Sequence, residues 1–258
     1  MKYKLNIHFV GTNFEGWQSQ PSGNTVQDHI EKALTTILRH KVRITGCSRT
    51  DSGVHAKGLV ASFETDVKFE KSKWLKSLQA LIPKDIGVLD IEKAPSSFHP
   101  IVDSKGKIYC YRIWASETRN PFLNPYVWHV PRSLDVSKMK RAAKNFIGRH
   151  NFKSFCASDS EVKTFEREIF EVEIFENSCL IEIYISGGGF LKQMVRTMVG
   201  TLVDISNGKF DEGSITQIIE SQNRIQAGKT APASGLTLEK VMYHNITSVA
   251  DFLKDHQH

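Results

Sequence analysis

The chain has 258 residues, enough for one large domain or two modest ones, each able to bury a core. Its 40% hydrophobic and 24% charged residues are the balance of a globular protein, and no apolar run approaches the roughly 20 residues that cross a bilayer. Lys and Arg number 34 against 28 Asp and Glu, a formal +6 spread along the chain, which favours an anionic partner, nucleic acid before membrane.

Met1 to His8 contains no continuous apolar core, so no signal peptide is expected and a cytoplasmic location follows. Tyr3, Leu5, Ile7 and Phe9 alternate with Lys4, Asn6 and His8, the period of a half-buried strand. A loop from Gly11 to Gly23 carries Phe14 and Trp17, and Thr25 with Asp28 three residues on resembles a capping box opening a helix. Val26, Ile30, Ala33, Leu34, Ile37 and Leu38 share one face of that helix. Strands are predicted at about 42–47 and 58–65, a helix over Lys71–Leu81 stopped by Pro83, and a strand over Ile86–Glu92. The first half, residues 1–104, therefore reads β-α-β-β-α-β, a split β-α-β with helices on one face of an antiparallel sheet.

Ala94 to Pro100 is a connector. In the second half, 105–258, a similar order recurs less cleanly. Lys107–Ala115 is a strand, and Asp135–Ile147 a helix with Met139, Ala142, Ala143, Phe146 and Ile147 inward, ended by Gly148. Arg167–Phe175 and Cys179–Ser186 form a hairpin, Phe190–Ile205 a long apolar helix, Asp211–Ser221 a further helix and Leu238–Tyr243 a closing strand. The expected fold is α+β. Two similar halves of mostly antiparallel sheet join into one extended sheet around a central basic cleft.

The stretch richest in chemistry is Cys47-Ser48-Arg49-Thr50-Asp51-Ser52-Gly53-Val54-His55-Ala56. Asp51-Ser52-Gly53 is turn chemistry between β-type sequences, so Asp51 either caps its own backbone or is a carboxylate presented on a sheet-borne loop. Strand spacing would put Arg49 and Asp51 on one face, where the arginine holds the carboxylate ionised. An oriented carboxylate suits nucleophilic or proton-transfer work; a structural ion pair is the alternative. His55 reads as a hydrogen-bonded structural residue.

Further along, Gly187-Gly188-Gly189 precedes the expected helix, where anions are attracted, although the spacing matches no standard phosphate loop. Arg196 lies at the edge of that helix, either reaching solvent or pairing with Asp51 across the chain. Tyr109, beside Lys105 and Lys107, suits stacking on an unpaired base as well as core packing. Lys138, Lys140, Arg141 and Lys144 form a solvated helix face or an RNA-backbone track. The four dispersed cysteines give no zinc or disulfide pattern, and no metal spacing, Ser-His-Asp signature or Walker loop is present.

Ser48-Arg49-Thr50-Asp51-Ser52-Gly53-Val54-His55-Ala56 resembles the signature of the tRNA pseudouridine synthase A family. The likeness continues through Gly16-Trp17-Gln18, Thr25-Val26-Gln27, Phe98-His99, Lys107-Ile108-Tyr109-Cys110-Tyr111-Arg112, Phe190-Leu191, Met194-Val195-Arg196 and Ala231-Pro232-Ala233 with Gly235-Leu236. The resemblance implies a homodimeric, cofactor-free, metal-free enzyme that isomerises uridine to pseudouridine at positions 38 to 40 of the tRNA anticodon stem-loop. It implies that Asp51 is the essential aspartate, nucleophile or base, and that Tyr109 stacks on the target base. Arg196 is implied to pair with the aspartate, and Arg49 to displace the target nucleotide. Ser48 and Ser52 depart from the commoner glycine and alanine, and Cys110 stands between two tyrosines. A non-catalytic RNA binder and a carboxylate-based nucleoside hydrolase are the rival readings. The hydrolase would need a second acidic group, which the sequence does not show.

Overall fold

The computed structural model describes residues 1–255. The chain folds into two compact units: Met1–Lys105 together with Thr237–Tyr243, and Gly106–Leu236 together with the residues after Tyr243.

The first unit opens with β1 (Lys2–Phe9), which alternates buried and part-exposed residues as its sequence predicts. After the loop comes α1 (Val26–Leu38), whose N-cap Thr25 accepts the Asp28 N–H through its hydroxyl. Short β2 (Thr45–Gly46), β3 (His55–Glu64), α2 (Lys71–Leu81) and β4 (Ile86–Ala94) follow. β1 lies between β3 and β4, antiparallel to both, with Leu5 opposite Ala61 and Ile91. The strand expected at 42–47 shrinks to two residues because its other backbone donors are spent elsewhere. The Val42 N–H goes to the Thr35 hydroxyl and the Ile44 N–H to the Glu31 carboxylate, both on α1. Tyr3 sits in a cage of Phe63, Phe69 and Trp74, with ring centroids 5.5, 4.9 and 5.3 Å away. Each such pair adds about 0.5–1.5 kcal/mol beyond burial, so α2 is fastened to the sheet largely by rings.

The second unit contains β5 (Gly106–Ala115), β6 (Trp128–Val130), α3 (Val136–Ala143), β7 (Gly148–Asn151), β8 (Glu166–Asn177), β9 (Leu180–Gly187), α4 (Met194–Ser206) and α5 (Ser214–Ser221). Its strands run β5-β9-β8-β7, all antiparallel neighbours, with β6 parallel to the end of β5. α3 ends at Ala143 and tightens into a 3-10 turn over Lys144–Phe146, which leaves Ile147 42% exposed, not inward as its periodicity suggests. Phe146, Phe152 and Phe155 pack edge to face beneath it. α4 starts four residues later than expected. Gln193 takes a left-handed φ of 61°, and Met194 N–H bonds the Leu191 carbonyl, so residues 191–194 form a turn at the expected helix start. β6 and β7 carry too few residues to show a period, and they escape sequence reading.

The chain ends in β10 (Leu236–Met242) and α6 (Val249–Lys254). β10 returns to the first unit and pairs parallel with β3, Thr237 opposite His55 and Leu238 opposite Ala56. α6 lies in the second unit, where Phe252 meets the Tyr184 ring and the Glu171 carboxylate accepts the Val249 N–H.

Candidate active site

Asp51 stands on a loop outside the strands, half-buried, with its carbonyl accepting the Val54 N–H at 3.1 Å. The turn foreseen from Asp51-Ser52-Gly53 is therefore present. Its position is fixed by a second loop. Trp17 N–H donates to the Thr50 carbonyl (3.2 Å), while Gly53 N–H and the Ser52 hydroxyl both donate to the Phe14 carbonyl. Residues 14–17 are held in turn by α1: Val26 N–H bonds the Gly16 carbonyl and Gln27 N–H the Trp17 carbonyl, both at 3.1 Å. Buried Trp17 packs on Phe9 of β1. Three stretches dispersed in sequence thus form one brace around Asp51.

Gly16 is the tightest point of the brace. Its φ is +87°, and a Cβ there would lie 2.5 Å from the Thr50 carbonyl oxygen and 3.1 Å from the Asp51 carbonyl carbon. Only glycine meets both conditions. His55, buried at the start of β3, accepts the Gly11 N–H at Nδ1 (3.0 Å) and ties the base of the loop to the turn that follows β1. That bond leaves the ring proton on Nε2 when the imidazole is neutral. Thr50 is buried, and its hydroxyl has no hydrogen-bond partner among the described residues.

The strand geometry expected for Arg49 and Asp51 does not occur, because residues 48–51 are not in a strand. Arg49 is exposed and, among the described residues, makes no hydrogen bond or ion pair. Its guanidinium therefore forms no ion pair with Asp51.

In the second unit Tyr109 lies on β5 opposite Ile185, 6% exposed, with the edge-to-face ring of Phe190 5.1 Å away. Arg196 occupies the first turn of α4, half-buried, and exchanges bonds with Ala231. The Arg196 Nε donates to the Ala231 carbonyl (2.8 Å), and the Ala231 N–H donates to the Arg196 carbonyl (3.1 Å). The segment beyond is anchored by Tyr111, whose buried hydroxyl donates to the Pro232 carbonyl at 2.7 Å. Burial holds that hydroxyl's pKa well above the ordinary tyrosine range, with the Arg196 charge opposing.

The glycine run 187–189 ends β9 and does not lie at the N-terminus of α4, which begins at Met194. Of the basic helix face, Arg141 is taken by a two-bond pair with Glu212 (2.8 and 2.7 Å). Among the described residues no cluster of His, Cys, Asp and Glu could hold a metal ion, and no helix is long and apolar enough to cross a membrane. Sequence reasoning assigns Phe14 only to a loop. Its double acceptor role spans 38 residues and leaves no local signal.

The tRNA pseudouridine synthase family model matches residues 6–101 and 142–244. A tRNA pseudouridine synthase A 2 of Bacillus anthracis is 40% identical over 242 residues, covering 93% of this chain and 99% of that protein. A tRNA pseudouridine synthase A 2 of Clostridium perfringens (strain 13 / Type A) and a tRNA pseudouridine synthase A of Aquifex aeolicus (strain VF5) are each 42% identical over 240 residues, 93% of this chain and 98% of theirs. The α+β fold and the matched segments, which include the whole Asp51 brace and the Arg196 helix, are those of a pseudouridine synthase, an isomerase acting on uridine in RNA. Within that class the chain belongs to the tRNA pseudouridine synthase A family.

Proposed function

We propose that this enzyme isomerises uridines 38, 39 and 40 in the anticodon stem-loop of tRNA, with Asp51 as the catalytic carboxylate. The observation that carries the reading is the brace. A half-exposed aspartate is held through its neighbours' backbone by Phe14, Gly16 and Trp17, a costly arrangement for a surface turn and a useful one for a reactive group. The reaction breaks the N1–C1′ bond, turns the base over and joins C5 to C1′. C5 loses a proton and N1 gains one, so the atoms balance without a cofactor. Asp51 serves as nucleophile or as base toward the sugar.

Tyr109, Arg196 and Arg49 bind the substrate and His55 supports the loop. A uridine inside a stem must leave the stack, at a cost of a few kcal/mol. Arg49 suits assistance there because its exposed guanidinium is not committed among the described residues. The excess of six positive charges favours contact with the phosphate backbone. In this reading the enzyme works as a homodimer in the cytoplasm.

Asp51→Ala tests the assignment. The variant is expected to keep its melting temperature, bind tRNA and form no pseudouridine. Retained turnover sinks the proposal, and release of free uracil by the wild type would point to a hydrolase instead. Tyr109→Phe keeps the ring and removes the hydroxyl, so wild-type turnover would restrict Tyr109 to stacking.

A further inference from the structure

We infer that the side-on edge of the Arg167 guanidinium, together with the bare backbone of Gly188 and Gly189, forms a subsite for one phosphodiester of the bound RNA. The inference rests on the RNA-modifying reading above and adds a contact site in the second unit.

Arg167, on β8, is half-buried, and among the described residues it pairs with no carboxylate. Both of its hydrogen bonds leave from a single nitrogen: Nη1 donates to the Thr164 carbonyl at 3.0 Å and to the Glu166 carbonyl at 2.6 Å. Two neutral carbonyls orient the head but do not neutralise it. Nε and Nη2, the parallel pair of donors that matches phosphate geometry, make no hydrogen bond within the described residues. The neighbouring Glu166 does not compensate the charge, since its carboxylate is taken by Arg149 at 2.6 Å. A partly desolvated cation without a counter-charge is stabilised by an anion brought to it.

The glycines show where that anion fits. Gly187 is demanded by the fold, because a Cβ there would lie 2.7 Å from the Glu168 carbonyl oxygen. The next two positions are different. At Gly188 a Cβ would meet only the Phe170 ring at 3.5 Å, and at Gly189 only Arg167 Cδ and Nε at 3.9 Å, both ordinary contact distances. Neither glycine has a positive φ. Nothing among the described residues requires a missing side chain at 188 or 189, and the open side of Gly189 faces the unused Nε edge. A phosphate approaching Arg167 across the glycine backbone uses both features. The run continues into Phe190, whose ring packs against Tyr109, so the subsite lies one residue along the chain from the ring beside the base-stacking tyrosine.

The test measures tRNA affinity across a salt series for the intact enzyme, Gly189→Asp and Arg167→Gln. Gly189→Asp keeps Arg167 and its carbonyl bonds and offers the guanidinium a carboxylate in open space. It is expected to retain the wild-type melting temperature, to raise the tRNA Kd about tenfold and to lower the slope of log Kd against log salt by about one. Arg167→Gln should change affinity and slope alike, and Arg167→Lys should restore the slope but only part of the affinity, because it carries the charge without the fork. If Gly189→Asp folds and binds tRNA with wild-type affinity and slope, the subsite is refuted while the functional reading stands. A wild-type enzyme that neither binds tRNA nor forms pseudouridine overturns the functional reading, and this inference with it.

Discussion

Gly16 presses against Thr50: a methyl group on its α-carbon would sit 2.5 Å from the Thr50 carbonyl oxygen, in a backbone already at φ +87°. Gly16→Ala should therefore strain the residue and push the Asp51 loop away. A left-handed alanine costs roughly 1–2 kcal/mol before the clash is counted. Denaturant unfolding should show at least about that loss, and pseudouridine formation should fall more steeply than tRNA affinity. Unchanged stability and turnover would mean that the brace does not position Asp51.

The N-cap of α1 gives a pH signature. Burial alone would raise the Asp28 carboxyl, but bonds from the Ser19 and Thr25 hydroxyls and from the Gln20 and Thr25 backbone outweigh it and hold the pKa below its ordinary 3.8. A depressed folded pKa stabilises above the unfolded value and is lost as pH falls through the folded one. The stability gap between wild type and Asp28→Asn should be full near neutral pH and close as the solution is acidified below 3.8. Melting temperatures across that range measure it, and a constant gap would contradict the sign.

Arg196→Lys keeps the charge but cannot reproduce the Nε–H bond to the Ala231 carbonyl. A charge-assisted bond of this kind is worth about 1.5–3 kcal/mol, so turnover at saturating tRNA should drop roughly tenfold or more. The tRNA Kd should change much less. A variant that loses affinity while keeping turnover would reduce Arg196 to a backbone contact.

Tyr111→Phe removes the donor to the Pro232 carbonyl and leaves a part-buried acceptor without its protein partner. Urea titration should show a loss of about 1–3 kcal/mol. Turnover should follow if the Ala231–Pro232 segment sets the orientation of Arg196.

Long periodic elements are legible because burial imposes a period on the sequence. β1, α1, α2 and the β8–β9 hairpin fall where alternation and amphipathic spacing put them. The failures occur where side chains capture backbone groups. Glu31 and Thr35 take the donors that would have lengthened β2, and a left-handed Gln193 delays α4. Asp51, Tyr109 and Arg196 are legible as candidates through residue type and family likeness. The pairing expected of Arg49 fails, because two-residue spacing aligns side chains only on a strand.

Local sequence suffices for the α+β class, the order of the large elements and the family, since these depend on periodicity and contiguous motifs. Only the tertiary structure settles how the Asp51 loop is braced and which glycines the fold requires. Those properties arise from hydrogen bonds between residues tens of positions apart and from the space beside each α-carbon. No local pattern encodes either.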